Sequence, residues 1–143
     1  RRIIMTVFNP LQAMDGVLYP CHSIVIQFYV VNGKNLEMSC YNRSQDLFLG
    51  TPFNIASSAL LIMIIAKLTN LIPSKLHLIL GDTHIYKQHY DLASAQLKRQ
   101  RYKFPTVIVP EIKSLEEIDK LTYEQFELKA YLSHPAIKAE MIT

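Results

Sequence analysis

A thiol, a guanidinium and a hydroxyl can be brought together in this chain by a single turn of backbone. Cys21 stands in the step Pro20-Cys21-His22, just before an apolar run from Ser23 to Val31. Asn32-Gly33-Lys34 follows, then a second run from Asn35 to Tyr41, then Asn42-Arg43-Ser44. Asn-Gly between two apolar runs is the strongest short-range signal for a β-hairpin. A hairpin brings Cys21, at the start of one strand, near Arg43 and Ser44 at the end of the other. The thiolate is the nucleophilic form of cysteine, and a nearby cation favours it over the thiol. Taken alone, the same residues also fit blander roles. A lone cysteine in a chain that is 50% hydrophobic is commonly a small buried hydrophobe, and a strand-end arginine a solvated charge.

The elements that must position these groups follow from pattern. Arg1 to Asn9 reads as a strand, and residues 10 to 20 as a loop. The first hairpin strand is apolar at nearly every position, which predicts cover on both faces, one of them from a subunit partner. Phe53 to Thr69 reads as a helix with Thr51 or Asn54 available to cap it. Its apolar run, Ile55 to Ala66, falls short of the ~20 residues that span a bilayer and predicts a core helix. Lys75 to Leu80 reads as a strand ending at Gly81-Asp82. Thr83 to Arg99 reads as an amphipathic helix whose basic end suits the macrodipole. Phe104 to Val109 is a strand, Leu115 to Leu121 a short helix or turn, Glu127 to Tyr131 a last strand, and the tail is irregular. The expected class is α+β, with one large mixed sheet flanked by helices.

Composition bounds the rest. At 143 residues the chain can bury a real core, and its hydrophobic half argues against disorder. A net charge of +3 is too mild and too scattered to imply nucleic acid, yet suits an anionic small substrate. Two cysteines, Cys21 and Cys40, make no disulfide framework, so a reduced, cytoplasmic protein is expected. No internal repeat, low-complexity tract or glycine-rich phosphate loop is present.

Pro20-Cys21-His22, Gln27-Phe28-Tyr29-Val30 and Arg43-Ser44-x-Asp46-x-x-Leu49-Gly50-x-Pro52-Phe53-Asn54-Ile55-Ala56-Ser57 together resemble the central block of thymidylate synthase. Arg1-Arg2-Ile3-Ile4, Gly81-Asp82-x-His84-x-Tyr86 and His134-Pro135-x-Ile137-Lys138 match in order, so the resemblance runs over essentially the whole chain. It implies that residues 1–143 are the carboxy-terminal part of one catalytic domain. The amino-terminal half of that domain would hold the general-base glutamate, so this stretch by itself is expected to be inactive. It also implies a homodimer packed sheet against sheet, with 5,10-methylenetetrahydrofolate as co-substrate and no metal.

The roles the resemblance implies are chemically apt. Methylation of deoxyuridylate (dUMP) at C5 needs a nucleophile to add at C6 and leave again, which a thiolate does readily; Cys21 takes that role. Arg43 can lower the Cys21 pKa and grip the 5′-phosphate in a bidentate fork, with Ser44 adding a hydroxyl. Arg1 and Arg2 resemble the pair that reaches the partner's phosphate across the dimer. Asn54 can accept from N3–H and donate to O4 of uracil. Related deoxycytidylate hydroxymethylases carry aspartate there, so Asn54 favours uracil. His84 and Tyr86 would hold the ribose 3′-hydroxyl, Asp46 would face the pterin ring, and Gly50 would let backbone approach the folate. His22 and Asn42 would shape the thiol and its water network, and Thr143 would supply the terminal carboxylate that closes over folate.

The chain departs from the family pattern at several positions. Asn42 stands where most relatives have Gln, Ser58 where Tyr is usual, Phe8 where Trp is usual, and Ala130 where a Gly precedes Tyr131. The tail ends Ile142-Thr143 instead of on two aliphatic residues. Two alternatives to the synthase reading remain: a hydroxymethylase of the same superfamily, and a catalytically silent nucleotide-binding or dimerising fragment.

Overall fold

The hairpin forms where Asn32-Gly33 predicts it. In the computed structural model, which describes residues 2–6, 8–12 and 23–142, β2 (Ser23–Val31) turns into β3 (Asn35–Asp46). Lys34 N donates to Val31 O at 3.1 Å, with Asn32 at φ 52° and Gly33 at φ 66°. Two successive residues in the left-handed region give the primed turn whose twist matches that of paired strands.

The chain divides into two compact units, Arg1–His84 and Ile85–Thr143. In the first, a four-stranded sheet has the order β1-β2-β3-β4, with β1 at Ile4–Met5 and β4 at Ile72–His84. The first two pairings are antiparallel and β3–β4 is parallel, so the sheet is mixed and the class α+β. Parallel neighbours need a crossover. Here it is the helix α1 (Gly50–Leu68), which packs on one face of the sheet. Its buried row is Ser58, Ile62 and Ala66, spaced four residues apart on one helix face. That row meets Ile26, Phe28, Leu36, Met38 and Cys40 in one core. By length and composition α1 could also cross a bilayer, unlike the shorter expected run; its buried row is that of a core helix.

Several expected boundaries are corrected. The first strand is two residues long, and of the expected 10–20 loop residues 10–12 form a 3₁₀ turn while the rest lie outside the described residues. β2 alternates, with Ile26 and Phe28 buried but Val25, Gln27 and Tyr29 exposed among the described residues. Helix α1 starts three residues before Phe53, and neither Thr51 nor Asn54 caps it. The Asp46 carboxylate takes up the entry instead, with Oδ1 accepting from Phe48 N at 2.9 Å and Leu49 N at 3.3 Å. At the far end Asn70 adopts φ 53°, and Leu71 N donates to Ala66 O at 2.8 Å, a left-handed stop of the kind asparagine tolerates.

The expected helix over Thr83–Arg99 is the largest error. β4 continues to His84 because its ladder with β3 continues, pairing Ser44 with Asp82 and Asp46 with His84. Helix α2 covers only Tyr90–Leu97, after a 3₁₀ turn at Lys87–His89.

In the second unit β5 (Thr106–Ile108) pairs antiparallel with β6 (Glu127–Lys129), and α3 (Leu115–Ile118) lies between them in sequence. Its irregular tail is tied down by three carbonyl contacts. His89 Nε2 lies 2.9 Å from Glu140 O, Arg99 Nη1 donates to Pro135 O at 2.8 Å, and His134 Nε2 lies 2.8 Å from Gln100 O. A carbonyl only accepts, so each of these histidine Nε2 atoms carries a proton. His134 also stacks on Tyr102 at 4.7 Å.

Candidate active site

The polar residues of the Asn42–Asn54 string gather where the end of β3 meets the start of α1. Inward-facing residues of β3 alternate as far as Asn42, which is fully buried, and then the alternation breaks: the next buried residue is Gln45, at 1% exposure. Two buried amides three residues apart must find partners, because an unpaired one costs about 1–3 kcal/mol. They find each other. Asn42 Nδ2 donates to Gln45 Oε1 at 2.9 Å, and Asn54 Nδ2 donates to the same oxygen at 3.2 Å. Gln45 Nε2 donates to Thr51 Oγ1 at 3.0 Å, and the Thr51 hydroxyl donates to Asp46 O at 3.0 Å.

Gln45 and Thr51 were not among the expected site residues. Asn42 is one methylene shorter than the Gln of the family pattern, and the structure answers that shortening with Gln45, which accepts its amide. Strand parity hides this: the period-two rule that turns Leu36, Met38, Cys40 and Asn42 inward assigns position 45 outward. The available signal was an uncharged amide beside Asn42 in an otherwise charged and hydroxylated stretch.

Around this core the other expected residues fall as follows. Arg43 is exposed, and its side chain makes no hydrogen bond or ion pair among the described residues, so its guanidinium is available to an anion. Ser44 is half-buried and pairs in register with Asp82. Gly81 lies between Leu80 and Asp82, partners of Asn42 and Ser44, and a Cβ on it would meet Arg43 O at 2.6 Å. Only glycine lets β4 pass this close to the backbone of Arg43. Gly50 opens α1, and a Cβ there would sit in ordinary contact with Asp46, Gln45 and Asn54, nearest at 3.5 Å. Asp46 uses Oδ1 for the backbone of the turn, and among the described residues Oδ2 accepts no hydrogen bond. That free oxygen and the small neighbour Gly50 fit a ring bearing N–H donors.

His84 ends β4 with Nδ1 at 3.3 Å from Asp82 O. Tyr86 belongs to the second unit, where it precedes a 3₁₀ turn and meets the His89 ring edge-on at 5.8 Å. Neither stands at a helix start as expected. Arg2 is exposed. Arg1, Cys21, His22 and Thr143 lie outside the described residues. The other cysteine, Cys40, is fully buried in the core and plays the bland part.

The first unit thus carries, close together in sequence, an exposed arginine near the end of β3, an oriented amide pair and a half-used carboxylate at a helix entry, groups whose chemistry suits a small polar ligand. A family profile described as thymidylate synthase matches residues 1–143, and the chain belongs to that family. It is 47% identical over 143 residues to the bifunctional dihydrofolate reductase-thymidylate synthase of Leishmania major. That alignment covers 99% of this chain and 27% of the relative, so the chain spans about a quarter of the relative's length.

Proposed function

We propose that this chain forms the nucleotide-binding and nucleophile-bearing part of a thymidylate synthase, converting dUMP to dTMP with 5,10-methylenetetrahydrofolate. The observation that carries the reading is the family match over residues 1–143, with Cys21, Arg43 and Asn54 all present. Cys21 adds through sulfur to C6 of the uracil, making C5 nucleophilic; after C5 takes the one-carbon unit its proton passes to the general base expected in the amino-terminal half of the domain, and Cys21 leaves again as the hydride completes the methyl group. The folate, when bound, supplies both the one-carbon unit and the hydride, and departs as dihydrofolate. Arg43 and Ser44 hold the 5′-phosphate, joined by Arg1 and Arg2 from a second copy. Asn54 reads the uracil edge, His22 orients the thiol, His84 and Tyr86 hold the ribose, and Asp46, Gly50 and the Thr143 carboxylate receive the folate.

The register supports this assignment of Cys21. Ser23, two positions after Cys21 in sequence, pairs with Asn42, the neighbour of Arg43. A dimer would cover the sheet face left open by Val25, Tyr29, Tyr41 and Ile79, each at least 39% exposed. The hydroxymethylase alternative would be marked by aspartate at position 54, where Asn54 stands. The test is dihydrofolate and dTMP formation by the full-length protein. Activity in the native enzyme and none in Cys21→Ser supports the proposal; a folded native protein that makes neither product, yet binds dUMP, favours the silent binding module.

A further inference from the structure

We infer that Gln45 is a specificity-determining positioning residue, fixing the Asn54 amide in the sense that reads uracil and refuses cytosine. The inference rests on the proposed role of Asn54 and deepens it. A primary amide presents an acceptor on one side and a donor on the other, and rotation by 180° about its last bond exchanges them. Uracil offers an acceptor at O4 beside a donor at N3–H; cytosine offers a donor at its amino group beside an acceptor at N3. Asn54 could satisfy either base, in opposite orientations, and nothing in its own chemistry chooses between them.

The choice is made by a polar chain that starts on the backbone. Asp46 O can only accept, so the Thr51 hydroxyl spends its one proton there, at 3.0 Å. Thr51 Oγ1 must then accept from Gln45, which turns Nε2 toward Thr51 at 3.0 Å and Oε1 toward the asparagines. Gln45 Oε1 is occupied by two amide donors, Asn42 Nδ2 at 2.9 Å and Asn54 Nδ2 at 3.2 Å. Asn54 thus commits one amide hydrogen inward, leaving a second hydrogen and Oδ1, which has no donor among the described residues. Those two groups are what a uracil edge requires. Rotating Asn54 to read cytosine sets Oδ1 against Gln45 Oε1, acceptor against acceptor. Rotating Gln45 to relieve that opposes its Nε2 to the Asn42 amide and draws the Thr51 proton off Asp46 O. With Gln45 at 1% exposure, bulk water does not stand ready to screen the mismatch.

Affinities of dUMP and dCMP for the full-length protein, measured by calorimetry for the native form, Gln45→Leu and Gln45→Glu, test this. Leu removes the fixing acceptor at similar volume, whereas Glu keeps it. The dUMP-to-dCMP affinity ratio is expected to fall at least about tenfold in Gln45→Leu, roughly 1.4 kcal/mol, and to stay within about threefold of native in Gln45→Glu. A Gln45→Leu protein that binds both nucleotides more weakly by one common factor has only lost packing, and overturns the inference. Should that variant not fold, Thr51→Val releases the anchor at a half-buried position, and an unchanged ratio there overturns the inference equally. A native protein that binds neither nucleotide overturns the reading of Asn54 itself; a native dUMP preference that survives Gln45→Leu overturns only the part played by Gln45.

Discussion

Gly81→Ala puts a methyl group where the parallel pairing of β3 and β4 leaves no room. The new Cβ would lie 2.6 Å from Arg43 O, with Asn42 O at 3.1 Å and the Tyr41 hydroxyl at 3.0 Å. Carbon–oxygen contacts in strands settle near 3.3–3.6 Å, so the strands must part by about 0.7 Å or more. The nearest atom is backbone and is laddered on either side, through Asn42–Leu80 and Ser44–Asp82, so it cannot turn away as a side chain would. Overpacking of this kind costs about 1–3 kcal/mol. The displacement falls on the peptide that carries Arg43, so dUMP binding should weaken along with stability. Urea denaturation should show a lower midpoint at unchanged slope, and nucleotide titration a raised dissociation constant. Tyr41→Phe in the Gly81→Ala background should restore neither, since it removes only the side-chain contact. Full native stability and dUMP affinity in Gly81→Ala, or their recovery on adding Tyr41→Phe, would refute the reasoning.

Three further outcomes are expected. Ala130 adopts φ 56°, where a Cβ costs about 1 kcal/mol, so Ala130→Gly should raise the melting temperature, and a fall would contradict the left-handed assignment. The Ser58 hydroxyl is buried in α1 with no hydrogen-bond partner among the described residues. Ser58→Ala should therefore stabilise the protein by about 1 kcal/mol in chemical denaturation, and a loss would point to an unseen partner. The exposed Glu124 carboxyl is held below its ordinary value of 4.5, first by a hydrogen bond from the Thr122 side chain. A carboxyl with a lowered folded pKa stabilises above its ordinary value and loses that contribution as pH falls through the folded one. Thr122→Val should raise the Glu124 midpoint in an NMR titration toward 4.5, and an unmoved midpoint would assign the effect elsewhere.

Legibility in the sequence tracked how local the controlling interaction was. Asn32-Gly33 announces its own turn, and the run from Ile55 to Ala66 announces a helix, of which one row is buried, because both signals are complete within a few residues. The continuation of β3 through Asn42-Arg43-Ser44-Gln45-Asp46 was not legible, since none of these is a strong strand former and a parallel partner some forty positions on holds them. The same partnership takes Gly81 to His84 away from the helix that their neighbours suggest. In the site, Arg43, Asp46 and Asn54 could be singled out by chemical type and motif. Gln45 and Thr51 could not, because their part depends on a break in strand alternation and on the direction of each hydrogen bond.

The central claim is that Cys21 attacks a uracil nucleotide beside Arg43 and Asn54. Incubating the full-length protein with 5-fluoro-deoxyuridylate and 5,10-methylenetetrahydrofolate, and reading its intact mass, tests that claim most directly. Fluorine at C5 blocks the elimination, so enzyme, nucleotide and folate should remain joined in one covalent adduct, and Cys21→Ser should carry none. A folded native protein whose mass is unchanged, or an adduct that persists in Cys21→Ser, would contradict the account.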